Sequence, residues 1–319
     1  MKDLPKIVVL DGYPLNPGDL SWQKLEELGE VVVYPRTAPE EVIERAKDAD
    51  IIIINKVKIE AELLDNLPNL KYIGITATGY NNLDMKAVNM HNIFASNIPD
   101  YGSFGVAQHA MALLLSITNR VHPHFDDVKS EKWKESKDFS YTNGSIIELA
   151  DKTIGLVGLG KIGYKMGVMA EAMGMFVSYY ARHPYQSSWE YYDTLNDMLE
   201  NSDVVSLHIP LTEETHELIN SNTLSKMKRN AILINTSRGA LVNEVDLHNA
   251  LNNGNIGGAG LDVLNQEPPP SDHILLSSKN CIITPHNAWA SKESRQRIMN
   301  ILADNLKSYL EGNPTNLID

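Results

Sequence analysis

Cysteine is almost missing from this chain: Cys281 is the single one in 319 residues, so no internal disulfide can form. That suits a reducing cytosol. Basic residues are scarce relative to acidic ones, 28 against 41, for a formal charge of −13. Such a balance excludes the basic face that nucleic acid requires, yet leaves room for a small anion at a locally positive site. No stretch approaches the roughly 20 apolar residues that span a bilayer. The apolar run in MKDLPKIVVLDGY is too short for a signal peptide and is closed by Asp11. There is no internal repeat and no low-complexity segment. What remains is a globular chain, expected in the cytoplasm and long enough for two domains.

Short β-branched runs alternate with amphipathic segments. KIVVL, VVVYP, DIIIIN and LKYIGI read as strands, and LSWQKLEELG, APEEVIERAKDA and EAELLDNL between them read as helices. This βαβα order predicts a parallel sheet covered on both faces. A longer helix starts at Ser103 and runs through VAQHAMALLLSITNRV, followed by the polar stretch EKWKESKDFSYTNGS. TIGLV opens a second alternating series, with strands at MFVSYY, DVVSLHI, NAILIN, GGAGLDV and NCIIT. Ser291 can cap a final helix that ends at Gly312, with Pro314 beyond. The expected architecture is α/β, with two doubly wound, Rossmann-like domains. One comprises residues 1–100 plus 290–319 and is flavodoxin-like. The other, 101–289, carries the glycine-rich turn. A cleft between two such domains is the default ligand site.

The turn reads TIGLVGLGKIGYKMGVMAEAMGMFVSYY. Gly158, Gly160 and Gly163 form G-x-G-x-x-G between a strand and a helix, and Gly174 ends the helix before the next strand. In a dinucleotide site the first glycine permits the tight turn. The second admits the pyrophosphate and the third lets helix pack on strand. The helix N-terminus then offers N–H groups to phosphate. A bare G-x-G-x-x-G is also met as a plain strand–helix turn; the strand–turn–helix–strand context favours the dinucleotide.

Ligands of open α/β sheets gather at the carboxyl ends of strands. Those ends carry Arg238, then Asp262 and Glu267, then His286. Singly, each has a bland reading: an ion-pair arginine, a solvated loop carboxylate, a histidine bonded to a loop backbone. Together they suit reduction of a carbonyl by a nicotinamide. His286 can protonate the developing alkoxide, Glu267 can favour its charged form and fix its tautomer, and Arg238 can grip a carboxylate with a two-pronged fork.

The motifs GLGKIG, HIPLTEET, INTSRGALVNE, GLDVLNQEP and TPHNAW, in this order, resemble the D-isomer-specific 2-hydroxyacid dehydrogenases over nearly the whole chain. Within that family NKVKI, YGSFGVAQHAMALLLSITNRV and Trp289 look most like glycerate dehydrogenases, also called hydroxypyruvate reductases. The resemblance implies a catalytic trio of Arg238, Glu267 and His286. It implies cofactor contacts at Gly158, Leu159, Gly160, Lys161, Ile162 and Gly163, and at Ala181, Arg182 and His183. Further cofactor contacts would fall on His208, Pro210, Thr215, Thr236, Ser237 and Asp262, the last at the nicotinamide amide. Substrate would meet Lys56, the backbone of Ala77, Thr78 and Gly79, and Trp289. Lys56 also reads as a solvated strand-end lysine. A homodimer formed through the cofactor domain is implied, and no metal.

The family's ribose-binding acid falls at Ala181, in YYARHPY, where Arg182 and His183 follow. Loss of the acid removes its repulsion of a 2′-phosphate, and an arginine can pair with that phosphate. NADP(H) is therefore favoured, with NAD(H) possible. The expected activity is reduction of hydroxypyruvate or glyoxylate to the D-2-hydroxy acid. Other hydroxyacid dehydrogenases (D-lactate, phosphoglycerate), the phosphite and formate dehydrogenases that share the scaffold, and dinucleotide-sensing corepressors are the competing readings.

Overall fold

The structure is a computed structural model and describes residues 4–318. The chain divides into two units. One runs to Gly102 and resumes at Ala290; the other is Ser103–Trp289.

The first unit holds five strands: β1 (Lys6–Val9), β2 (Glu30–Val33), β3 (Ile51–Ile54), β4 (Tyr72–Ile75) and β5 (Phe94–Ser96). All pairings are parallel and the order is β2-β1-β3-β4-β5. That is the flavodoxin-like order, whose connections reverse direction between β1 and β3. The four isoleucines of β3 are all buried, because a parallel sheet is covered on both faces. The closing helix, Lys292–Leu310, is capped by Ser291, whose hydroxyl accepts the Ser294 N–H at 3.1 Å. It packs so closely on β4 that a Cβ at Gly74 would lie 2.9 Å from Leu302. Arg295 on this helix reaches Asp19 with both prongs, at 2.7 and 2.8 Å.

The second unit holds β6 (Thr153–Val157), β7 (Phe176–Tyr180), β8 (Glu190–Tyr192), β9 (Val204–Leu207), β10 (Ile232–Asn235), β11 (Gly258–Leu261) and β12 (Cys281–Ile283). They too pair in parallel, in the order β12-β11-β10-β9-β6-β7-β8. The chain moves outward from β6 to β8, then returns to β9 on the other side of β6. This is the doubly wound dinucleotide order with one strand added at the far edge. Burial pushes the Cys281 thiol up to about 12, so it stays protonated and unreactive at neutral pH.

Several short elements escape the sequence pattern. β5 and β8 are three residues each, too short to display a period, and β8 is the edge strand EYY. The helix expected from Ser103 through Val121 ends at Asn119, and Arg120 takes φ +51°. A second helix, Val121–Lys129, follows at once. Its proline, Pro123, sits in the first turn, where a missing N–H costs no helical bond.

Candidate active site

The three glycines of the turn after β6 have three different surroundings. Gly158 has φ +93°, and a Cβ there would lie 2.7 Å from the His208 carbonyl oxygen. A Cβ on Gly163 would lie 2.3 Å from the Gly158 carbonyl oxygen, so this glycine lets the helix Lys161–Ala172 sit on the turn. A Cβ on Gly160 would meet nothing within 4 Å. The fold therefore needs glycine at the first and third positions, and has no packing reason for it at the second. Open space over Gly160 fits approach by a ligand phosphate. Gly160 also caps the helix without a side chain. Leu159 is buried beneath the turn, and Lys161 and Ile162 open the helix. The turn lies where the sheet connections reverse, between β6 and β9, the usual seat of a nucleotide.

Two neighbouring strand ends carry buried polar atoms with no hydrogen-bond partner among the described residues: Nδ1 of His208 after β9 and Oγ1 of Thr236 after β10. Burial pushes His208 down to about 4, so its ring is neutral at physiological pH, with Nε2 on the Ser206 hydroxyl at 2.9 Å. Unpartnered buried atoms beside the glycine turn are what a site completed by a bound group looks like. Ser237 and Thr215 are spent differently. Ser237 donates to the Leu207 carbonyl at 2.7 Å, and Thr215 closes its own loop by donating to the Pro210 carbonyl at 2.8 Å. On the other side of the turn, Ala181 follows β7 half-buried, and Arg182 and His183 are exposed. Arg182 has no hydrogen bond or ion pair with the protein among the described residues.

At the opposite end of this row lie the candidate catalytic groups. Nδ1 of His286 is 2.6 Å from Oε2 of Glu267. An ionised carboxylate only accepts, so the proton sits on Nδ1, and Nε2 is the nitrogen left for chemistry. Glu267 is steadied in turn, its Oε1 accepting the Leu264 N–H at 2.9 Å. Arg238 is exposed and has no ion pair among the described residues. Its loop is nonetheless held tightly. The buried Asn235 side chain accepts the Ser237 N–H and donates to the Arg238 carbonyl, at 3.0 and 2.8 Å. At Gly239 a Cβ would overlap the Leu264 backbone at 2.1 Å, which shows how closely the Arg238 loop lies on the segment leading to Glu267. Trp289, half-buried, closes the unit.

Asp262 sits deeper than its expected contact with a nicotinamide amide suggests: its side chain is 1% exposed. Its carboxylate accepts the N–H groups of Asn287 at 3.0 Å and Ala288 at 2.8 Å, and its carbonyl accepts that of His286 at 2.8 Å. Three successive donors thus converge on one residue. They hold His286 in the left-handed region, φ +50°, which a non-glycine residue adopts at a cost of about 1–3 kcal/mol. Thr284 donates to the same carboxylate at 2.6 Å, and His109 Nε2 meets the Thr284 hydroxyl at 2.9 Å. Neither Thr284 nor His109 stands out in the sequence, except that His109 is a polar residue on an otherwise apolar helix face.

In the first unit, the Asp11 carboxylate at the end of β1 accepts the N–H groups of Asn55, Lys56 and Val57 at 2.7, 2.6 and 3.1 Å. Burial pushes this carboxyl above its usual range against the pull of those donors. The Lys56 ammonium is exposed and unpaired among the described residues. After β4, Thr78 is tied down by its hydroxyl, which donates to Ile98, and by its carbonyl, which accepts from Asn97, both at 2.7 Å. The N–H groups of Ala77, Thr78 and Gly79 donate to nothing among the described residues. The described residues contain no cluster suited to a metal and no helix long and apolar enough to cross a membrane.

Residues 111–288 match the model of the D-isomer specific 2-hydroxyacid dehydrogenase NAD-binding domain. A hydroxypyruvate reductase of Blautia hydrogenotrophica is 45% identical, over 98% of this chain and 99% of its own. A glycerate dehydrogenase of Methylorubrum extorquens is 39% identical, over 98% and 99%. The NADPH-dependent glyoxylate/hydroxypyruvate reductase of Sinorhizobium meliloti, solved with NADP and malonate, superposes with a TM-score of 0.83. It is 30% identical and covers 99% of this chain and 97% of that one. The matched span contains the glycine turn and the whole row of strand ends from Arg182 to His286, and the chain belongs to the D-isomer-specific 2-hydroxyacid dehydrogenases, NAD(P)-dependent oxidoreductases.

Proposed function

We propose that the chain reduces a small 2-oxo acid, hydroxypyruvate or glyoxylate, to the D-2-hydroxy acid, with NADPH favoured and NADH possible. The observation that carries the reading is the 2.6 Å contact between His286 Nδ1 and Glu267, which leaves Nε2 as a proton donor. The names of the relatives supply the substrate class. When bound, the reduced nicotinamide supplies the hydride that reaches C2 of the substrate. The Gly158–Gly163 turn holds the pyrophosphate. Arg238, whose Nη1 donates to the Ser237 carbonyl at 2.7 Å and which has no ion pair among the described residues, serves the substrate carboxylate. The undonated N–H groups of Ala77, Thr78 and Gly79 and the Lys56 ammonium are further candidates for an anionic substrate. Trp289 bounds the substrate pocket. His286 transfers its Nε2 proton to the carbonyl oxygen as the alkoxide develops, and Glu267 stabilises the ring in its charged state before the transfer. The balance is one 2-oxo acid, one reduced cofactor and one proton, giving one 2-hydroxy acid and one oxidised cofactor.

The cofactor preference rests on Ala181 and Arg182. Without a carboxylate at 181 nothing there repels a 2′-phosphate, and the Arg182 guanidinium is uncommitted. The test is oxidation of NADPH and NADH, side by side, with hydroxypyruvate, glyoxylate and pyruvate. Turnover of NADPH with hydroxypyruvate or glyoxylate is expected. Silence with all three acids would overturn the reading, and a clear NADH preference would overturn its cofactor part alone.

A further inference from the structure

We propose that His109 is a positioning residue for this reaction, acting through Thr284 and Asp262 on the turn that aims His286. The inference rests on the role given to His286 above, and goes beyond it in assigning a second histidine, on the helix Ser103–Asn119, to the same chemistry.

The direction of each hydrogen bond follows from what the groups can do. The Asp262 carboxylate only accepts, so the Thr284 hydroxyl at 2.6 Å donates to it. That spends the only proton of the hydroxyl. The 2.9 Å contact with His109 Nε2 must then run the other way, from Nε2–H to the Thr284 oxygen. The Thr284 hydroxyl has a second acceptor in reach, the Leu261 carbonyl at 3.5 Å. By occupying an oxygen lone pair, His109 biases the hydroxyl proton toward Asp262 and away from Leu261. It also stands 3.4 Å from Asp262 Oδ1 itself.

The consequence reaches His286 through the carboxylate. With the Thr284 proton in place, Oδ1 of Asp262 is held by the Thr284 hydroxyl together with the Asn287 N–H, and Oδ2 by the Ala288 N–H. Those bonds, with the His286 N–H on the Asp262 carbonyl, hold the left-handed backbone at His286. If the hydroxyl turns to Leu261, the carboxylate loses the shortest of its three donors, and Oδ1 is left with the Asn287 N–H alone. The turn above it then rests on a less firmly held acceptor, and the direction of the imidazole is less tightly set. A misplacement of about 1 Å at the reacting groups costs on the order of 100-fold in rate, so a fraction of that displacement is enough to register. The glycine turn after β6 takes part in none of these bonds, so cofactor binding is not expected to change.

The experiment compares His109→Phe, which keeps an aromatic ring without the donor, with His109→Gln, which restores an N–H. Thr284→Val removes the relay, and Thr284→Ser restores the hydroxyl if the phenylalanine variant does not fold. Phenylalanine and valine are each expected to lower kcat about tenfold while KM for hydroxypyruvate and the NADPH dissociation constant stay within about twofold. Glutamine and serine should recover most of the loss. The double variant His109→Phe/Thr284→Val should be no slower than either single one, because both cut the same relay. Wild-type kcat in the phenylalanine and valine variants, losses that multiply in the double variant, or no recovery with glutamine and serine would overturn the proposal. The role of His286 fails separately: His286→Asn would then turn over like the parent, whatever His109 does.

Discussion

At the scale of single residues, the site depends on which groups are spent on the protein and which are left over. Glu267 is spent on His286 and on its own loop, whereas Arg238, Lys56 and Arg182 keep unpaired charges among the described residues. Two predictions belong here. His286→Asn removes the proton donor while keeping a residue that tolerates positive φ, so the turn should survive. Turnover should fall about 10²- to 10⁴-fold with little change in cofactor binding, as measured by steady-state kinetics and NADPH fluorescence titration. Ala181→Asp tests the proposed NADPH preference by adding a carboxylate at the position where that proposal needs none. It should raise KM for NADPH about tenfold and leave KM for NADH unchanged or lower. Equal KM values for NADPH before and after would place the phosphate elsewhere. His286, Glu267 and Arg238 were legible because a histidine, a carboxylate and an arginine follow three strands in turn. Thr284 and His109 were not, because their partners lie across the fold and neither residue type is unusual where it stands.

At the scale of elements, the turn after β6 separates fold from function within six residues. Gly160→Ala adds a methyl that touches nothing in the protein, at a φ of −76° that any residue accepts. Its melting temperature should match the parent, while KM for the cofactor rises about tenfold or more, since the methyl intrudes where phosphate is expected. Gly163→Ala places a methyl 2.3 Å from a backbone oxygen that cannot swing away. It should cost about 1–3 kcal/mol of stability, read by chemical denaturation, besides any loss of cofactor affinity. If Gly160→Ala melts early and binds normally, the turn is structural only. The sequence marked all three glycines alike; only the packing around them tells one role from another. The same limit applies to β5 and β8 and to the break at Arg120, where the period is too short or the residue too ordinary to signal.

At the scale of the molecule, each unit is a parallel sheet whose strand ends form one edge; in the second unit the glycine turn lies where the connections reverse, and Arg238, Glu267 and His286 follow the strands from there to the far edge. In the first unit that edge is assembled from distant sequence: Asp11 gathers the backbone of Asn55, Lys56 and Val57. The closing helix is fastened to the same unit by Arg295 and Asp19. Hydrogen bonding to Arg295 holds the Asp19 carboxyl below the usual carboxylate range. A depressed folded value contributes stability above the unfolded value of 3.8 and loses it as pH falls through the folded one. The melting temperature of the parent should therefore fall on acidification below about pH 4, and Arg295→Met should flatten that part of the profile while lowering the neutral melting temperature by several degrees. An acid limb of unchanged steepness in the variant would remove the pair from the account.

The sequence by itself determined the fold class, the order of the main strands and the glycine turn, because these are written in local periods and short spacings. It also named His286, Glu267 and Arg238, since a parallel α/β sheet brings every strand end to one edge. The tertiary structure alone decided that Asp262 lies beneath the histidine turn, that Asn235 and Gly239 set the Arg238 loop, and that His109 meets Thr284 across 175 residues of chain. Those facts depend on which buried donor finds which acceptor after the chain has packed, and no local pattern of residues encodes that pairing.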